Sequence, residues 1–272
     1  MIKAKLVLIL TIVILFLAGM FLFGSQEYRY TEEFQRTAAL GPGGTFALAN
    51  VNGDVRVSSW KENRVEVRAV KSARRSEKDL KDIDIVFDAS ADRVSVRAVW
   101  PKFRVNFQAK VDFEVRVPEG VRLAGLRTVN GEVFVTGAYS AVEGETTNGR
   151  LEGRDIKGDV TFETTNGGVK IADVEGEVRA ETTNGGIEIS GLVFSKRVRA
   201  EATNGSIVLS LKNPEQVNAT LLAETVNGGI TVDFPVTLQN LTKSRRRVEA
   251  RLGSGGAEIR LSTVNGSIRI TR

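Results

Sequence analysis

The sequence predicts an all-β protein: a single-chain β-solenoid, parallel β-helix-like, with coils of about 18–20 residues. Three observations point there. Eight Asn-Gly pairs punctuate the 272 residues, and those at Asn130, Asn148, Asn166 and Asn184 lie eighteen apart. Apolar residues occupy the third and fifth positions after the asparagine, and apolar or small ones the sixth and fourth before it. That spacing of two gives a strand one buried face. Finally, whole rows keep their identity between repeats, with Thr two positions before Asn in Thr128, Thr146, Thr164, Thr182, Thr225 and Thr263.

The first element is a basic flank, residues 1–5, in which Lys3 and Lys5 precede an apolar run, Leu6–Phe23, broken only by Thr11 and Gly19. At 1.5 Å per residue this run would make a helix about 27 Å long, near the hydrocarbon thickness of a bilayer. Residues 6–24 are read as a transmembrane signal anchor, with 1–5 cytoplasmic and the C-terminal domain extracytoplasmic. The implied location is a cell membrane, crossed once, with the lipid bilayer as one partner. Leu22–Ser25 make a poor cleavage site, and cleavage there, giving a secreted chain, is the alternative.

Residues 25–44 read as a linker and 45–127 as a β-rich N-terminal cap, since a solenoid end needs covering. Within the cap, Val65/Val67, Val94/Val96, Phe103/Val105/Phe107 and Val111–Val117 alternate as strands do. Ser72–Ile83 reads as a short amphipathic helix or loop, and Pro118-Glu119-Gly120 as a turn.

Residues 128–272 form the repeat region. Each repeat reads as strand, Asn-Gly corner, strand, looser corner. The corner residues are Asn52, Gly53, Asn130, Gly131, Asn148, Gly149, Asn166, Gly167, Asn184, Gly185, Asn204, Gly205, Asn227, Gly228, Asn265 and Gly266. Asn and Gly both accept positive φ cheaply, which suits a corner. Only the Asn148 repeat breaks the apolar pattern, with Leu151 followed by Gly153. An antiparallel meander with Asn-Gly hairpins is the competing architecture. Identity by row favours the solenoid, because stacked Thr and Asn can hydrogen-bond along a ladder. The last strand, Ile268–Arg272, is expected at the open end of the column.

The repeated run of Ser/Thr, Thr/Val, Asn, Gly, any residue, Val/Ile, any residue, Val/Ile resembles the bacterial putative-adhesin family of β-strand-repeat domains of unknown function. Phe113–Pro118 ahead of Thr128–Gly131, and the terminal Gly253–Ile270, fit the same resemblance, which covers Thr45 to the C-terminus. It implies an extracytoplasmic β-repeat domain, often behind a membrane anchor. It brings no defined ligand and no catalytic residues.

Composition narrows the chemistry. Cysteine and histidine are absent, which removes thiolate and imidazole metal sites, Cys-His and Ser-His machinery, and a lipoprotein anchor. Net charge is only +5 and aromatics are 7%, so no nucleic-acid partner is expected. Arg245–Arg247 reads as a solvated loop, and Trp60 and Trp100 as packing residues. Glu145, Glu163, Glu181, Glu201 and Glu224 form one outward row, three residues before Asn, which Arg179 and Arg199 could neutralise or a divalent cation could occupy. Asp155 and Asp173 fit turn chemistry better than acid–base catalysis.

No catalytic, cofactor-binding or metal residue is therefore assigned. The functional reading is a non-enzymatic, membrane-anchored adhesin-like or scaffold module at the bacterial cell envelope, with an envelope polymer or protein as partner. A filament built by end-to-end stacking of coils is the alternative. A polysaccharide-acting β-helix enzyme is a weaker one.

Overall fold

The structure, a computed structural model, describes residues 28–101, 108–192, 196–211, 216–233 and 239–272. The segment 6–24 read as a membrane span and the strand read at Phe103/Val105/Phe107 lie outside them, and among the described residues no helix is long and apolar enough to cross a membrane.

The repeats stack in parallel, not as a meander. After the Asn-Gly corner, Val133, Leu151, Val169, Ile187 and Ile207 are direct neighbours in successive strands. Before it, Thr128, Thr146, Thr164 and Thr182 are aligned in the same way. Each coil thus contributes one strand to a leading face, ahead of Asn, and one to a trailing face, behind it. Branched Val, Ile and Thr supply both faces because they suit a pleated, half-buried surface.

The core is the space between the faces. Val133, Val135, Leu151, Ile171, Ile189 and Leu209 from the trailing side are essentially inaccessible, as are Val142, Val160, Val178 and Ala200 from the leading side. The broken repeat has a packing explanation. Phe162 is fully buried, and a side chain at Gly144 or Gly153 would bring its Cβ within 3.1 Å of the Phe162 ring. Two glycines make room for one aromatic ring.

Chain order and spatial order diverge at both ends. The coil of Asn265 lies between those of Asn204 and Asn227: Val198–Asn204 pairs with Ala257–Asn265, which pairs with Ala219–Asn227. On the trailing face, Ile268–Thr271 lies between Ile207–Leu211 and Ile230–Asp233. The C-terminal strand is therefore interior, contrary to its expected place at the open end. It fits there because its apolar rows, Ile259/Leu261 and Ile268/Ile270, continue those of the coils on either side. The antiparallel strands Arg247–Leu252 and Gln239–Lys243 extend the leading face beyond the Asn227 coil.

The N-terminal side requires two further corrections. Tyr30–Ala39, inside the expected linker, is a strand paired antiparallel with Arg64–Ala73. The boundary at 127/128 does not divide the fold either. Thr45–Ala49 and Val55–Trp60 form a full coil aligned with the Asn130 coil, because the Asn52 repeat carries the same apolar rows. What closes the column is Arg93–Val99 and Ala109–Pro118 stacked on that coil, with antiparallel Asp84–Ala89 and Arg64–Ala73 outside. The helix Glu77–Lys81, N-capped by Ser76, lies in the segment Ser72–Ile83, although Ser72 and Ala73 belong to the preceding strand. It buries Leu80, and Ile83 follows it into the core.

The corner glycines are needed for a different reason from the one their residue type suggests. No corner asparagine has a positive φ, and most of the corner glycines do not either. The glycines instead allow backbones to touch: a Cβ on Gly149, Gly167 or Gly205 would lie 1.7–1.8 Å from the carbonyl oxygen of the glycine one coil earlier. Left-handed backbone belongs to the looser corner, at Asp155 (φ 53°), Asp173 (φ 52°) and Gly191 (φ 64°). Asp155→Val should consequently cost about 1–2 kcal/mol, with Asp155→Gly near neutral. Chemical denaturation compares the two directly, and equal stabilities would contradict the backbone explanation.

Candidate functional site

The corner asparagines form a continuous amide ladder on the exterior. Nδ2 of Asn130 donates to Oδ1 of Asn52 at 2.7 Å, and the same bond recurs at 2.8–2.9 Å through Asn148, Asn166, Asn184, Asn204, Asn265 and Asn227. Every rung points the same way. Such a chain of amides polarises cooperatively and fixes the stacking register.

Two residues earlier, the buried threonines form a second ladder. Oγ1 of Thr128, Thr146, Thr164, Thr182, Thr263 and Thr225 each donates to a corner-glycine carbonyl of the adjacent coil, at 2.8–3.2 Å. The acceptors are carbonyls of the glycines that also make the close backbone approach. Ala202 interrupts this row between Thr182 and Thr263. Ala202→Thr should supply the missing bond to the Gly185 carbonyl and stabilise the chain by about 1 kcal/mol. A urea midpoint that falls, or does not move, would count against it.

The glutamate row faces solvent on the leading face. Glu145, Glu163, Glu181 and Glu201 are adjacent rungs, and Ser262 separates Glu201 from Glu224. Arginines interleave with it. Arg179 reaches Glu181 at 2.7 Å and Glu163 at 3.8 Å, Arg199 reaches Glu201 at 2.8 Å, and Arg127 reaches Glu145 at 2.9 Å. Arg247, from the antiparallel extension, pairs with Glu224. Exposed pairs of this kind contribute little stability, and their main effect is to cancel repulsion along the stack. Arg127 occupies the glutamate position of its own coil, so its part was visible in the repeat alignment; that of Arg247 was not, because its strand carries no repeat signature.

Beside the glutamates runs an exposed row of Thr147, Thr165, Thr183 and Thr203, and the two rows line a shallow groove of about 470 Å³. Among the described residues, no group of three or more acidic side chains is placed to hold a metal ion. Asp155 and Asp173 sit on the looser corner, apart from this groove. The carboxyl group of Asp159 is held below its usual pKa by the Glu177 amide and then by Lys196, each 2.9 Å away. It ties coils together at that same corner.

The remaining singled-out residues are structural too. Trp60 is half-buried on the trailing face, donating from Nε1 to the Arg64 carbonyl at 2.8 Å, with the Arg64 and Arg116 guanidinium groups 4.8 and 5.8 Å from its ring. Trp100 packs against the edge of the core. Within Arg245–Arg247, the carbonyls of Arg245 and Arg246 accept from Ile230 and Thr225, seating this turn on the last coil.

The Toastrack DUF4097 description matches residues 44–271, which takes in every coil of the column. The chain belongs to the Toastrack family. No curated protein matches it. Among solved structures, this Toastrack chain is similar to a "putative cell adhesion protein" of Clostridium sporogenes, with 13% identity, 88% of this chain and 99% of the other covered, and a TM-score of 0.38. It is also similar to a "putative adhesin" of Bacteroides fragilis, with 11% identity, 88% and 96% coverage and a TM-score of 0.43. A "putative lipid binding protein" of Parabacteroides distasonis gives 14% identity, 88% and 97% coverage and a TM-score of 0.43.

Proposed function

We propose that this Toastrack chain is a non-catalytic, adhesin-like binding or scaffold module, held outside a bacterial membrane by residues 6–24, whose flat β faces engage an envelope polymer or protein. One observation carries the reading. The polar residues of the repeat are consumed by the fold: Asn bonds Asn, Thr bonds a glycine carbonyl, and Glu pairs with Arg. What remains outward is a repeated surface of hydroxyl and charged rows, without an acid–base pair set apart from it among the described residues. Such a surface suits many weak, periodic contacts better than a single chemical step.

Two experiments test the proposal. Reporter fusions on either side of residues 6–24 should place the C-terminus outside, and a cytoplasmic C-terminus would refute the anchoring. The full chain in detergent should retain envelope polymers or proteins from the native cell, with retention reduced by bulky substitutions at Thr165 and Thr183. A chain that retains neither, or retains them equally after those substitutions, would refute binding through the leading face.

The filament reading cannot rest on the C-terminal strand, since Ile268–Thr271 is paired on both sides.

A further inference from the structure

The column has one long open edge. Tyr30–Ala39 pairs only with Arg64–Ala73 among the described residues, and eight of its ten residues are exposed. The other outermost strands are shorter: Asp84–Ala89, Ile230–Asp233 and Gln239–Lys243 span six, four and five residues. Natural edges are usually blunted by brevity, lysine or proline. This one, Tyr-Thr-Glu-Glu-Phe-Gln-Arg-Thr-Ala-Ala, is long and has neither lysine nor proline, and its charges, Glu32, Glu33 and Arg36, are of both signs.

We infer that this edge pairs antiparallel with the same strand of a second copy, forming a twofold dimer in which the two trailing faces make one continuous sheet. The residues select the register. A twofold axis perpendicular to the sheet keeps side chains on their own face, so only pairings of like parity are allowed. With the axis at Phe34, Glu32 faces Arg36 of the second copy, twice over. Thr31 then faces Thr37, Glu33 faces Gln35, and Phe34 meets its own counterpart. Moving the axis one residue towards the N-terminus sets Glu33 against itself. Moving it one residue the other way leaves every charge without an opposite.

The monomer leaves these groups available. Glu32 is 46% exposed although it bonds Lys71 at 2.9 Å, and Arg36 lies over the Phe34 ring at 5.3 Å. The pairing is isologous and therefore closes at two copies, because it uses the same edge twice.

The chain has no cysteine, so introduced thiols report without background. Antiparallel partners have Cα atoms about 4.5–5.5 Å apart, within disulfide range. Full-length Thr31→Cys/Thr37→Cys in detergent should oxidise to a covalent dimer, and each single variant should not, since residues 31 and 37 lie about 20 Å apart along a strand. Both positions are exposed, so the fold tolerates the change. Phe34→Cys should cross-link alone. By sedimentation, the parent chain should be dimeric, and Arg36→Glu, which opposes Glu32, should weaken association at least about tenfold. A monomeric parent chain, single threonine variants that cross-link as readily as the double one, or an Arg36→Glu dimer of undiminished affinity would each overturn the inference.

Discussion

Gly149→Ala is expected to destabilise the chain by about 3 kcal/mol or more, a large effect for one methyl group. The added carbon would lie 1.8 Å from the Gly131 carbonyl oxygen and 2.6 Å from its carbonyl carbon, both backbone atoms with no rotamer to change. The coils would have to separate. Separation stretches the Gly131 N–H bond to the Asn148 carbonyl (3.1 Å), the Thr146 bond to the Gly131 carbonyl (3.1 Å) and the Asn148–Asn130 rung (2.8 Å) together. Gly168→Ala is the control, since its nearest neighbour would be 3.3 Å away, and it should cost well under half as much. Urea unfolding of both variants decides the point. Wild-type stability in Gly149→Ala would show that the corner does not depend on backbone contact.

Phe162→Ala is expected to cost about 3–5 kcal/mol. The ring is fully buried, and two positions beside it, Gly144 and Gly153, carry no side chains that could move into the void. The rungs above and below are held by their ladders, so collapse is also restricted. Phe162→Leu, which keeps most of the volume, should lose much less. A loss below about 1 kcal/mol for Phe162→Ala would mean that the column relaxes freely along its axis.

Much of this fold was legible because a stacked repeat states its contacts in the sequence. Residues eighteen apart are neighbours, so aligning on Asn already placed Thr146 beside Thr164 and Glu163 beside Glu181. The Arg179 and Arg199 pairings followed from the same parity. The ends were not legible. Insertion of the Asn265 coil is not marked by the last two Asn-Gly spacings, since a 38-residue spacing reads equally well as two successive periods. Tyr30–Ala39 lacked the alternating burial that marks a strand, being exposed along nearly all its length. The role of glycine was misjudged because residue type alone cannot separate left-handed backbone from close approach. The candidate surface was visible only as rows, and a groove between rows needs coordinates.

The interleaved final coil has a consequence for synthesis. While the ribosome is still translating the residues before Ala257, the Asn204 rung has no neighbour on its far side, because the strands that belong there do not yet exist. The Asn227 rung is already made, yet only the antiparallel strand Arg247–Leu252 lies beside it until Ala257–Asn265 arrives. Growth from the N-terminus therefore stops at Asn204 and finishes in one late step that seats two rungs at once, joining partners 61 residues apart. A nascent chain halted before that step would hold a bare, sticky rung. Interruption of translation there is the moment at which this protein would be most prone to pair wrongly.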